Sequence, residues 1–207
     1  MNKIVNFPLL LFFTLLVVSC GSKKTYTGKT ISDVRMDPDT TIYVRLNAVI
    51  GDSAIAVSNI KDSRRDTFCI KDAMFSNKIF GDMNIGDTLA IMPLFKKHSI
   101  KSSYNLNEMT GLWLMKDGNG INLTLDGMAV NVGIFDDEIS LRHWMIHNGM
   151  LFITYVLMDG SDYAERIDTT DITNLTYESL QLNINGKVYD CKHVKKLLSV
   201  DDLNPNR

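Results

Sequence analysis

The 207-residue chain sets 22 Lys and Arg against 24 Asp and Glu, is 45% hydrophobic, and carries only 4 Pro and 13 Gly. Such a composition excludes a collagen-like, a disordered and a multi-span membrane protein, and the weak, mixed charge lacks the basic face of a nucleic-acid binder. Three cysteines without a Cys-x-x-Cys pair argue against a thioredoxin-like redox role.

From the N-terminus, Lys3 precedes an apolar run over residues 9–18, which is too short to span a bilayer and reads as a secretory signal over residues 1–19. Ser19-Cys20-Gly21-Ser22 resembles the lipobox at which bacterial lipoproteins are cleaved and lipidated. A cysteine is required there because its thiolate accepts the diacylglyceryl group. The resemblance implies a mature chain that starts at Cys20, held to the membrane by acyl chains at ~0.8 kcal/mol per buried CH₂, with residues 20–25 as a tether. Cleavage would remove Lys3 and no acid, leaving 21 basic against 24 acidic residues, a balance of −3. No Asp follows Cys20, so outer membrane facing the periplasm is the expected location. Gly28-Lys29-Thr30 is no phosphate loop, because the glycine needed five residues upstream is Lys23.

Residues 26–94 read as a five-stranded β domain. A first strand at 26–32 is followed by 41–50, where Ile42, Val44, Leu46, Ala48 and Ile50 alternate with Tyr43, Arg45 and Asn47. Gly51-Asp52 turns the chain into 53–60, a charged loop leads to 67–71, a short helix is plausible at 72–78, and Gly86-Asp87 opens 88–92. The count fits a small barrel of the OB or SH3-like kind, with a sandwich as the alternative. Residues 95–109 (FKKHSIKSSYNLNEM) are polar, basic and without period, and read as a linker.

Over 110–193 strands are expected at 111–116, 121–125, 128–134, 139–147, 150–158, 162–169, 179–185 and 187–193. Tight turns such as Asp126-Gly127, Asn148-Gly149 and Asn185-Gly186 join them. Eight strands in this order make an up-and-down meander that closes into a small barrel, so the fold class is all-β with two barrels. Residues 194–207 are a tail with a plausible short helix at 194–200. Gly111-Leu112-Trp113, Leu123-Thr-Leu-Asp-Gly127-Met-Ala129, Trp144 before Gly149-Met-Leu151, and Leu175-Thr-Tyr-Glu-Ser-Leu180 together resemble the lipocalin-like domain of bacterial lipoproteins. The matching residues are packing and turn residues, and the resemblance implies a secreted, lipid-anchored, non-catalytic protein with no catalytic residue to carry over.

Candidate chemistry is sparse. Cys69 and Cys191 are either a disulfide stapling the two domains or two buried small hydrophobes. His143 and His147 share a strand face but lack a third metal ligand, and Asp136-Asp137-Glu138 reads as a solvated hairpin tip. Neither a cofactor motif nor a nucleophile elbow occurs, so no enzyme is expected. An eight-stranded barrel is just wide enough to fill with side chains or to hold one small ligand, and Trp113, Trp144, Met150, Phe152 and Tyr155 are the candidate ligand- or interface-lining residues. The strand at 150–158 is apolar on both faces, so its outer face should be covered by the first domain or by a partner. Two readings of function follow: a lipid-anchored envelope lipoprotein whose barrel holds a small apolar ligand, or one with a solid barrel that docks an envelope protein. Both use the membrane through Cys20, and neither involves nucleic acid. Cys20→Ala should leave unprocessed or mislocalised precursor; mature, lipid-modified protein in the outer-membrane fraction of that mutant would refute the anchor.

Overall fold

The computed structural model describes residues 29–31, 34–158, 165–184 and 186–194. The expected signal, the Cys20 site, the tether and all but Val194 of the expected C-terminal helix lie outside the described residues. No helix among the described residues is long and apolar enough to cross a membrane.

The first barrel is built from β2 (Ile42–Ile50), β3 (Ala54–Asn59), β4 (Arg65–Cys69), β6 (Thr88–Leu94) and β7 (Ser99–Asn105), which follow β1 (Lys29–Thr30) and are interrupted by α1 (Lys71–Phe75) and β5 (Ile79–Phe80). The alternation read in β2 holds over its first part, where Val44 and Leu46 are buried while Tyr43, Arg45 and Asn47 are exposed; a bulge between Leu46 and Ala48 then shifts the register, and Ile50, expected on the inner face, is exposed. Strands pair in the order β4-β3-β2-β6-β7, and a parallel contact of Cys69 with Ser99 closes the ring. Parallel closure between the third and fifth barrel strands, with a helix between the third and fourth, is the OB arrangement. Val44, Leu46, Ile55, Val57, Phe68, Leu89, Ile91 and Ile100 fill its core.

Membership of the barrel differs from the sequence reading in two places. What the structure describes of the expected first strand is the short β1, which pairs with β13 (Glu165–Leu175) of the other barrel. The fifth strand is β7, in the stretch read as a linker; residues 95–109 hold a 3-10 turn (Phe95–Lys97), β7 and α2 (Leu106–Met109). The error has a physical cause. Ser99, Ser102, Ser103 and Asn105 occupy buried positions, so the strand carries no hydrophobic period.

The second barrel is an antiparallel meander of β8 (Gly111–Leu114), β9 (Gly120–Leu123), β10 (Ala129–Val132), β11 (Ile139–His147), β12 (Met150–Leu157), β13, β14 (Ser179–Ile184) and β15 (Lys187–His193). Its sheet order is β10-β9-β8-β15-β14-β13-β12-β11. Between the end strands β10 and β11 closure is nearly complete. Met128 bridges His143, and the Asn131 side chain stands in for a missing ladder, donating to the Ile139 carbonyl at 3.1 Å and accepting from the Leu141 N–H at 2.9 Å. Strand β13 runs past the expected strand at 162–169 and extends through 171–175. Its first half pairs with β12 and its second half with β14. This stagger leaves one edge of the first half open to β1.

Asn105 joins the barrels. It ends β7 and caps α2, its Oδ1 accepting from the N–H groups of Asn107 and Glu108 at 2.9 and 3.2 Å, while its Nδ2 donates to the Asp82 carbonyl and the Asp87 carboxylate, both at 2.7 Å. All four of its hydrogen-bonding capacities are thereby used. Glu108 reaches back to the same loop, accepting from the Asp82 N–H at 3.0 Å. One residue turn later the indole of Trp113 donates to the Met109 carbonyl at 2.9 Å, which fixes α2 against the mouth of the second barrel. Asn105→Ala should cost about 1–3 kcal/mol, the penalty for stranding buried polar partners. A urea titration checks this, with a lowered midpoint as the expected result; an unchanged midpoint would refute the role.

Candidate functional site

Trp113, Trp144 and Tyr155 all lie inside the second barrel, Trp113 and Tyr155 without solvent contact. They share the interior with Ile121, Leu123, Ile139, Leu141, Ile153, Leu182 and Ile184. Both indoles have structural partners: Trp113 donates to the Met109 carbonyl and Trp144 to that of Thr124 at 3.0 Å. The other two candidates are on the opposite face of β12. Met150 is exposed, and Phe152 is half-buried with its ring edge-on to His147 at 6.0 Å.

The outer face of β12 is covered in part. Thr154 is buried, accepts from the His143 N–H at 3.1 Å and donates to Glu165 at 2.9 Å, whereas Met150 and Met158 stay exposed. Contact with the first barrel is made at the turn that starts the strand. Asn148 and Gly149 have φ of 49° and 68°, the primed hairpin geometry their sequence implies. The Gly149 carbonyl accepts from Tyr104 and Ser102, at 3.1 and 3.2 Å, and Asn148 exchanges hydrogen bonds with Asp39 and Thr40. Burial pushes the Tyr104 phenol up to about 12, with the Asp171 charge adding, so it remains a donor to Gly149.

At the far end, the 133–138 loop closes the barrel. Phe135 is buried and stacks on Tyr189, ring centroids 4.5 Å apart. Asp136 accepts from Tyr189 at 2.6 Å and from Lys187 at 2.7 Å, with 5% of its side chain exposed. This corrects the reading of Asp136 as a solvated loop acid: Lys187 and Tyr189, invisible as partners in sequence, pull it onto the barrel. Burial pushes the Asp136 carboxyl up, but the bonds from Lys187, Tyr189 and the Glu138 N–H outweigh it and hold it below the usual carboxylate range. Burial, together with the bond to Asp136, pushes the Tyr189 phenol far above its ordinary value.

Several clefts open among the described residues, and two of them bear on recognition. One of about 650 Å³ fronts the Phe135–Asp136 latch, between the 115–119 turn and β15. The other, about 610 Å³, lies between the barrels, with Val49, Ile70, Met74, Ile79, Phe80, Met83 and Leu175 as its apolar walls and Asp52, Asn77, Thr173 and Asn174 as polar groups. No signal in the sequence points to this second cleft, because it forms only where β13 meets α1 and β5.

Cys69 and Cys191 make no bridge; both are free. Cys191 packs in the core of the second barrel, where burial pushes its thiol up to about 11 and keeps it protonated at neutral pH. His143 and His147 face separate partners, with Glu165 at 3.6 Å from the first and Asp39 at 3.8 Å from the second. Among the described residues no group of three or more His, Cys, Asp or Glu is placed to hold a metal ion.

A family model described as lipocalin-like matches residues 105–196, which identifies the second barrel, with Asn105 and α2 at its entrance, as a lipocalin-like domain. The chain is also similar to a lipocalin-like protein from Bacteroides thetaiotaomicron whose crystal structure is known. Identity is 25%, the match covers 42% of this chain and 97% of that one, and the TM-score is 0.36. No curated protein matches this chain.

Asp136→Asn should destabilise the protein by about 1–3 kcal/mol at pH 7, since Lys187 and Tyr189 lose an ionised acceptor. A carboxylate depressed on folding contributes above its unfolded value near 4, and the contribution fades as pH falls through the lower folded value. The gap between wild type and variant should therefore narrow below about pH 4 in denaturant titrations. A gap that does not change with pH would show that the latch does not depend on the charge.

Proposed function

We propose that this protein is a non-catalytic binding lipoprotein of the cell envelope, held at the outer membrane by acyl chains on Cys20 and facing the periplasm, which recognises a protein partner on the surface of a solid two-barrel body. The filled interior of the lipocalin-like barrel carries this reading. Trp113, Trp144 and Tyr155, the residues best placed to line a cargo pocket, are instead packed together, and the two indoles spend their only donors on backbone carbonyls. Phe135 stands in the far mouth and α2 in the near one. The two clefts of about 610 and 650 Å³ both open outside the barrel interior. The inter-barrel cleft has the apolar lining and the size, within roughly 300–1,000 Å³, of a recognition pocket.

Native mass spectrometry of the mature protein purified from its host, beside recombinant residues 21–207, tests the proposal. Retained protein partners and no small-molecule adduct are expected. A reproducible apolar adduct that survives Val49→Arg, a bulky charge at the wall of the cleft, would place cargo inside the barrel and overturn the reading.

A further inference from the structure

Three separate segments meet at one end of the first barrel. The turn between β2 and β3 is brought there by the Ile70 N–H donating to the Ser53 carbonyl at 2.9 Å, and the turn between β6 and β7 by the Cys69 N–H donating to the His98 carbonyl at 2.7 Å. The third is α1, which follows Ile70 directly and lines the same cleft, through Met74, as Val49 and Asp52. These segments leave large apolar side chains in solvent: Phe75 is 93% exposed, Phe95 50%, Ile50 49% and Met74 46%. Phe95 sits on the barrel through an edge contact with Phe68 at 6.2 Å, so its position is fixed. Interleaved with them are Lys71, Lys96 and Lys97, against Asp52 and Asp72 as the acids of the same segments.

We infer that this end of the first barrel is a membrane-contacting surface that inserts Phe75, with Phe95, Met74 and Ile50 around it, into the interface of an anionic bilayer. The chemistry favours a lipid surface over a protein partner. A fully projecting aromatic ring with neighbouring lysines matches the boundary between acyl chains and charged headgroups, where rings gain apolar contact and the ammonium groups reach outward to phosphate. Exposed apolar side chains drawn from three separate segments and gathered at one end are more than the scattered single residues of an ordinary surface. The inter-barrel cleft opens at the same end, since Val49 and Met74 belong to both. The inference stands apart from the Cys20 anchor and from the surface-docking reading, and needs neither.

Every described element lies within residues 29–194, so recombinant residues 21–207 carry the fold without signal or acyl group. Flotation with vesicles of phosphatidylcholine and phosphatidylglycerol at 7:3, against pure phosphatidylcholine, tests the inference. Binding to the anionic vesicles is expected, weakened by raised salt. Phe75→Asp should reduce it by about tenfold or more, given what burying one aromatic side chain contributes. The double variant Lys96→Glu/Lys97→Glu should abolish the preference for anionic lipid. Ile134→Asp, an exposed apolar position on the far end of the second barrel, should change nothing. Circular dichroism confirms folding, and Phe75, being outside the core, can be replaced without a cavity. No binding at low salt, or equal binding by the Phe75→Asp and Ile134→Asp variants, would overturn the inference. So would a dimer in sedimentation that Phe75→Asp dissolves while the vesicles remain bare, since that would make the surface a contact between copies.

Discussion

The two-barrel body depends on the hydrogen bonds of one asparagine. Asn105 stands where the last strand of the first barrel becomes the helix that enters the second, and it is nearly without solvent contact. A side chain there must satisfy two N–H groups of α2 and two oxygens of the 81–87 loop at once. Only an amide offers two acceptor sites and two donors in one plane, and an aspartate would set a second carboxylate against Asp87. With α2 held, Met109 is held, and with it the indole of Trp113 and the start of the second meander. Burial pushes the Glu108 carboxyl up against the pull of the Asp82 N–H, and the charges of Asp82 and Asp87 add to the rise. The bonds of Asn105 and of the Trp113 indole explain how a polar stretch joins the two barrels.

Around that joint the second barrel is closed by side chains as much as by ladders. Asn131 replaces strand pairing between β10 and β11, Phe135 and Asp136 tie the far loop to β15, and the stagger of β13 leaves an edge to which β1 adds two residues. Each device covers an open edge or an open mouth. A barrel of four- to eleven-residue strands has little room to spare, and here it is used for packing.

The parts legible in the sequence are those governed by local physics. The alternation of β2, the Asn-Gly and Asp-Gly turns, and the order of the eight late strands follow from side-chain period and from φ > 0 at the turns, and the all-β two-barrel architecture follows from them. Three of the five candidate lining residues fall inside the barrel because the period of β8, β11 and β12 places them there. What sequence could not supply is non-local. β7 hides behind serines, β1 pairs with a strand more than a hundred residues away, and Asp136 looks like any loop acid until Lys187 and Tyr189 arrive beside it. The inter-barrel cleft has no sequence signature, because its β13 wall faces its α1 and β5 wall only once both barrels have formed.

The surface chemistry of this molecule is uneven. The far mouth of the lipocalin-like domain is tied by ion-paired and hydrogen-bonded groups, with Ile134 and Val188 exposed beside them. The α1 end of the first barrel presents unpaired apolar side chains with lysines between them, which suit an interface between water and hydrocarbon. The two ends lie on different barrels and are held in fixed relation by Asn105 and the Gly149 turn, so whatever seats one end orients the other. A body seated by its α1 end would hold the inter-barrel cleft close to the lipid surface and direct the latched mouth of the second barrel away from it. The proposed Cys20 anchor would fix only where the chain is attached; a second contact made by the folded body would set its orientation.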